Sequence, residues 1–274
     1  MTPPTPAPAC AVLLAAACGL ALAARAAAPP PPVPTAQELA ARLGAIRRDG
    51  ASFVRLRAEI KDPAGATRAV LQLQVKARRS ATGTELVYQL LWPRERKGEA
   101  VLLRKRGDRA PGGVLFVPPG TRRPLAAADL KQGLFGTDLT LADAVEDFYA
   151  WRQQSLAGSE PVDGVDCQIL ESRPGQGQWA SCARVRSWID LRRCVPLRVE
   201  KYLASGRLAA RIDTRKVVKD DQGRHIPAAL LVRRAGSGSS TGIEGSRSVS
   251  GVAYHDRDFT PEGLADLTAP RAGR

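Results

Sequence analysis

Val54-Arg55-Leu56-Arg57-Ala58-Glu59-Ile60-Lys61, followed by Leu71-Gln72-Leu73-Gln74-Val75-Lys76, alternates apolar and polar side chains without a break. Successive side chains of a strand point to opposite faces, so this period predicts two strands, each with one dry and one wet face. Similar runs extend the pattern along Thr84 to Trp92, Glu99 to Arg106, Gly113 to Pro118, Gly164 to Glu171, Arg184 to Asp190, Pro196 to Leu203, Arg207 to Val217, His225 to Arg234 and Arg247 to Tyr254. Short turns such as Ala204-Ser205-Gly206 and Asp221-Gln222-Gly223 join neighbours, which favours antiparallel hairpins. The Gly236-Ser237-Gly238-Ser239-Ser240 cluster reads as one more hairpin loop.

Helical signals are few. Thr35 with Glu38 forms a capping box, and Leu39, Leu43 and Ile46 recur at helical spacing before Gly50. A second start, Thr140-Leu141-Ala142-Asp143, places Leu141, Val145 and Phe148 on one side. The expected fold is mainly β: a strongly curved antiparallel sheet of about eleven strands forming an incomplete β-barrel, with an N-terminal helix and inserted helical lid segments. So many strands must curl, because strands twist. A two-sheet sandwich without a cavity would obey the same periodicities.

Ahead of the strands, Ala11 to Ala24 is an apolar, Ala-rich stretch followed by Ala24-Arg25-Ala26, the small-residue pattern of a signal-peptidase site. The expected organisation is a signal peptide over 1–26, a proline-rich spacer over 27–34 and one β domain over 35–274. The segment Met1 to Ala9 lacks Lys and Arg. Ala15-Ala16-Ala17-Cys18 offers an alternative lipid-anchoring site, disfavoured because it has no Leu at the −3 position. Export leaves Cys167, Cys182 and Cys194, which allow one disulfide at most and match no zinc spacing.

The formal net charge of +14 attracts anionic surfaces. Nucleic acid is excluded as a partner by the export signal and by the lack of basic stretches with interleaved aromatics, whereas anionic membrane headgroups fit. No catalytic constellation emerges. The two histidines, His225 and His255, stand far apart, Glu244-Gly245-Ser246-Arg247-Ser248 misses the nucleophile-elbow pattern, and no metal or cofactor motif is present.

Three earlier stretches, Leu90-Leu91-Trp92-Pro93-Arg94-Glu95-Arg96-Lys97-Gly98-Glu99-Ala100, Leu115-Phe116-Val117-Pro118-Pro119 and Phe135-Gly136-Thr137-Asp138-Leu139, are followed by Val162 to Cys167, Trp188-Ile189-Asp190, Val195 to Tyr202, Gly223 to Pro227 and Asp258-Phe259-Thr260-Pro261. In order and approximate spacing this set resembles the outer-membrane lipoprotein-sorting proteins of the LolA-like superfamily, over roughly Val54 to Leu267. Two departures stand out: Thr140-Leu141-Ala142-Asp143 replaces the acidic and aromatic pair usual there, and Arg104-Lys105-Arg106 is unusually basic.

The resemblance implies a non-enzymatic periplasmic carrier whose apolar cavity shelters acyl chains of a lipid or lipoprotein, with an inner-membrane RND-type exporter as a further partner. A non-transporting accessory module of such an exporter or of an envelope complex is the alternative. The expected cavity residues are Leu71, Leu73, Val75, Leu90, Trp92, Leu102, Trp188, Leu197, Val199 and Tyr202. Inner faces of small barrels are commonly filled by their own side chains, so each could also be plain core.

Overall fold

The computed structural model describes Met1 and residues 34–47, 50–80 and 82–270; the expected leader, Cys18 and most of the proline spacer lie outside the described residues. Helix α1 (Ala36–Arg47) opens the described fold. Its start is fixed as expected, with Thr35 N donating to Glu38 Oε2 at 2.8 Å and Glu38 N donating to Thr35 Oγ1 at 3.3 Å. Then come β1 (Ala51–Lys61), β2 (Thr67–Ser80), β3 (Gly83–Trp92), β4 (Ala100–Arg106), β5 (Gly112–Val117) and β6 (Thr121–Pro124). After an irregular insert that contains α2 (Leu141–Val145), the chain continues through β7 (Gln153–Val162), β8 (Val165–Arg173), β9 (Arg184–Asp190), β10 (Val195–Tyr202), β11 (Leu208–Lys219), β12 (His225–Arg234) and β13 (Ser240–Ser250).

All thirteen strands belong to one antiparallel sheet in the order β6-β5-β4-β3-β2-β1-β13-β12-β11-β10-β9-β8-β7. The sandwich alternative is thereby excluded. Two strands beyond the expected eleven are the two edges, β6 and β7. Neither could announce itself by alternation, since β6 is exposed throughout and β7 is exposed along nearly its whole length. Pro124, Pro161 and the irregular register between Leu156 and Ser159 blunt these edges against pairing with another chain. The Gly236 to Ser240 loop is also shorter than the sequence suggested, because β13 already begins at Ser240, and the strand expected over Arg247 to Tyr254 lies earlier, ending at Ser250.

Curvature follows from what the insert touches. Tyr88 on β3 and Lys201 on β10 stand six strands apart in the sheet order, about 29 Å if the sheet were flat. Yet Tyr88 Oη donates to the Ala144 carbonyl at 3.4 Å, and Lys201 Nζ donates to the neighbouring Asp143 Oδ1 at 2.7 Å. The sheet therefore curls around the insert as an incomplete barrel. Along the insert, Leu134, Leu141, Ala142 and Val145 pack on Val75, Leu86, Val101 and Leu103 of β2–β4. Phe148, Tyr149 and Trp151 pack on Leu170, Val185, Ile189 and Val199 of β8–β10, together with Leu39 and Leu43 of α1.

The convex face is not uniformly wet. Gln74, Lys76 and Gln89, on the polar side of the alternation, are fully buried. Segment 255–268 covers them: Lys76 Nζ donates to Asp258 Oδ1 at 2.8 Å, Gln74 to the Leu267 carbonyl at 3.0 Å, and Gln89 to the Leu264 and Asp266 carbonyls at 2.8 and 3.0 Å. Phe259 and Leu264 of this cover close over Val87, Leu102 and Phe116. Strand β4 is thus dry on both faces, which its unbroken Ala100-Val101-Leu102-Leu103 run records.

Candidate apolar chamber and its charged wall

The insert is locked in place by a few polar side chains, and the space it leaves beside it is the candidate site. Gly133 starts the lock. A side chain at Gly133 would put its Cβ 1.9 Å from the Thr137 carbonyl oxygen, so only glycine lets the chain turn back at Leu134–Gly136. Asp138 follows. Its carboxylate accepts from Thr241 Oγ1 at 2.7 Å and from Ser239 Oγ at 2.6 Å, pinning the β12–β13 hairpin to the insert. Thr140 then caps α2, with Thr140 N donating to Asp143 Oδ2 at 3.0 Å and Asp143 N donating to Thr140 Oγ1 at 3.1 Å. The helix expected at Thr140 is real but ends at Val145, and Phe148 sits in a separate 3-10 turn.

Beyond α2 lies a buried ion-pair cluster. Lys201 Nζ donates to Asp143 Oδ1 at 2.7 Å and to Glu146 Oε2 at 3.1 Å. Ser181 supplies two more donors to Glu146, from its backbone N at 2.7 Å and its Oγ at 2.5 Å, and Arg234 reaches Asp143 at 3.4 Å. Burial alone would pull the Lys201 pKa down, but the Asp143 and Glu146 carboxylates outweigh it and hold the ammonium above the usual lysine range. Burial likewise opposes ionisation of Asp143, and Lys201 reverses the balance, so that carboxyl stays below its usual range. The cluster is charged and mutually neutralised.

On one side of the Lys201–Asp143 pair opens a chamber of about 340 Å³, walled by Leu43 of α1, Tyr88, Leu139, Ala144, Phe148, Tyr149, Val199, Ile212, Pro227 and Leu230. Its polar wall includes Arg79, Thr214 and His225. A neighbouring hollow of about 340 Å³ shares Pro227 and Leu230 and continues the apolar floor through Val54, Leu56, Ile226 and Ile243. On the other side of the pair lies a space of about 550 Å³ bounded by Leu130, Ala142, Trp179, Ala180 and Leu203. Concave, mostly apolar spaces of this size with a few fixed polar groups are the usual form of small-molecule sites.

The ten expected cavity residues separate into groups. Val199 lines the chamber. Leu71, Leu73 and Leu90 form a buried patch of the concave face, with Phe135 and Ile243 packed against it, and Val75 belongs to the cluster beneath α2. The structure does not bring the other five to this face. Leu102 points to the convex side beneath Phe259. Trp188 and Leu197 pack with Cys167 and Ile169, also on the convex side, because a register shift between Pro196 and Arg198 re-phases β10 and turns Leu197 outward while Val199 faces in. Trp92 is 50% exposed. Tyr202 lies under the Arg184 guanidinium, 4.3 Å from its carbon, and bonds to Glu200.

Sequence reasoning missed Lys201, Asp143 and Glu146, although Lys201 shares the inward phase of Val199. It also missed the chamber's floor on β11 and β12. Cys167, Cys182 and Cys194 are free thiols, and burial pushes Cys182 up to about 11. His225 borders the chamber, whereas His255 precedes a 3-10 turn in the convex cover. Among the described residues no group of three or more His, Cys, Asp or Glu side chains could hold a metal ion.

A family model described as an uncharacterized protein matches residues 83–266. The chain belongs to that family. Solved structures share its fold. A DUF1329 family protein from Desulfovibrio piger superposes with a TM-score of 0.76 at 22% identity, covering 84% of this chain and 97% of that one. A domain assigned as an outer membrane lipoprotein-sorting protein from Vibrio parahaemolyticus gives 0.74 at 18% identity, covering 84% and 98%. A LolA superfamily protein from Nitrosomonas europaea gives 0.66 at 20% identity, covering 83% and 98%. No curated protein matches the chain. The family is therefore LolA-like in fold.

Proposed function

We propose that this protein is a periplasmic carrier that shelters an acyl chain of a lipid or lipoprotein in the chamber between α1, the insert and β10–β12. The observation that carries this reading is the contrast between the two ends of the concave face. Over β2–β4 the insert packs directly on the sheet and leaves Leu86, Leu90 and Leu103 fully buried. Over β11–β13 it is pinned only near Thr241, through Asp138, and beyond that anchor Ile212, Leu230 and Ile243 stay half-buried around open space. Apolar surface held open beneath a lid is what a hydrocarbon chain replaces water against. Each methylene transferred contributes about 0.8 kcal/mol, so a dozen offer roughly 10 kcal/mol before ordering costs.

No catalytic group is required. The names of the similar folds, which include lipoprotein sorting, agree with this use. Leu230 lies at the junction of the two contiguous hollows, which makes Leu230→Asp the sharpest probe. A carboxylate there should remove copurifying lipid, read by native mass spectrometry of protein expressed in a Gram-negative periplasm, while circular dichroism stays unchanged. Equal lipid content in the folded variant and the parent would refute the assignment.

A further inference from the structure

The convex face of β8–β12 carries a concentration of arginine that the chamber does not use. Cross-strand register aligns Glu171, Arg186, Glu200, Arg211 and Arg233 in one row across five strands, about 19 Å wide. Arg173, Arg184, Arg198 and Arg215 flank that row. The carboxylates are heavily shared. Asp213 alone meets Arg198, Arg211, Arg215 and Arg233 at 3.4, 3.0, 3.9 and 3.0 Å. Glu171 meets Arg173, Arg184 and Arg186 at 2.8, 3.8 and 2.7 Å.

Seven guanidiniums thus face Glu160, Glu171, Glu200 and Asp213, a local excess of three positive charges. Each guanidinium has five N–H donors in a planar fork, far more than four carboxylates can saturate. Arg184 Nε also lacks an acceptor but is shielded, so the accessible surplus lies on the more exposed guanidiniums. The floor beneath is aromatic: Arg184 stacks on Tyr202 at 4.3 Å, and Arg198 lies 5.5 Å from the Trp188 ring centre. The side chains of Arg173, Arg215 and Arg233 remain about half exposed, at 50, 47 and 48%.

We infer that this arginine-rich convex face is a docking surface for a bilayer rich in anionic phospholipid, whose headgroup phosphates accept the surplus guanidinium bonds. Arginine forks match phosphate oxygens in pairs, and an anionic leaflet supplies many phosphates at once, so several weak contacts add. The surface lies on the opposite side of the sheet from the chamber and does not depend on the chamber holding a lipid.

The test is co-sedimentation of the full protein with vesicles of phosphatidylglycerol and phosphatidylcholine, against phosphatidylcholine alone, at low and high salt. The parent should bind the anionic vesicles and be released by salt. The variant Arg173→Gln/Arg215→Gln/Arg233→Gln should lose more than about tenfold in affinity. A control, Arg57→Gln/Arg94→Gln/Arg109→Gln, removes the same charge from other exposed positions and should bind nearly as the parent does. Equal loss in both triple variants would overturn the proposal in favour of net charge acting at large, as would a parent indifferent to phosphatidylglycerol. Circular dichroism and the lipid content of the two triples separate loss of docking from loss of fold or of the chamber.

Discussion

Replacing Lys201 with methionine should cost about 3–5 kcal/mol of stability, read as a lower denaturation midpoint in urea, because Asp143 and Glu146 are then buried without their cation. The ammonium also lies 5.5 Å from the Phe148 ring centre, so the loss includes that cation–π contact as well as the two ion pairs. Lys201→Met/Asp143→Asn/Glu146→Gln should recover most of the stability, since no fully buried ion is then left unpaired and Arg234, which loses Asp143, is 33% exposed to water. If the single variant were as stable as the parent, the cluster would not be the bridge between insert and sheet described above.

The pH dependence has two sides. Lys201 has a raised pKa, so its contribution is complete below about pH 10, the unfolded lysine value, and fades as pH climbs through the higher folded value. Asp143 has a lowered pKa, so its contribution is complete above about pH 4 and fades as pH falls through the folded value. Between those limits the link should hold steadily.

The second large effect is expected on the opposite face. Phe259→Ala removes a ring that is 1% exposed, packed in the cluster of Val87, Leu102 and Phe116 and set edge-on to Tyr254 at 5.1 Å. The loss should be about 3–5 kcal/mol, the usual range for deleting a buried phenylalanine. Amides of Gln74 and Gln89 and the ammonium of Lys76 lean on the same cover, so hydrogen exchange across β2 and β3 should accelerate beyond what the global loss explains. Unchanged exchange there would mean that segment 255–268 is not what keeps those groups dry.

Legibility in the sequence tracks how a strand is buried. Strand β1 faces water on one side at Arg55, Arg57 and Lys61, so Val54 to Lys61 alternates cleanly and its placement is read directly. The edges β6 and β7 have almost no dry face and left no period to detect. Strand β4 is dry on both sides, which hides its phase, so its unbroken apolar run does not reveal that Leu102 faces the convex side. In β10, alternation counts through the irregularity at Leu197 and gives the wrong face for it. Polar residues misled in the other direction. Lys76 reads as solvent-facing by alternation, yet it, like Lys201, is buried by a distant segment that supplies its carboxylate. Capping boxes at Thr35 and Thr140 were legible because all their partners are local.

The claim on which the functional account rests is that a hydrocarbon chain occupies the space beside Val199, Ile212 and Leu230. A crystal structure of the protein with a terminally brominated fatty acid measures this directly. The account predicts an anomalous bromine peak inside the chamber, within contact of those side chains. Bromine confined to the outer surface, with the chamber holding only water, would contradict it.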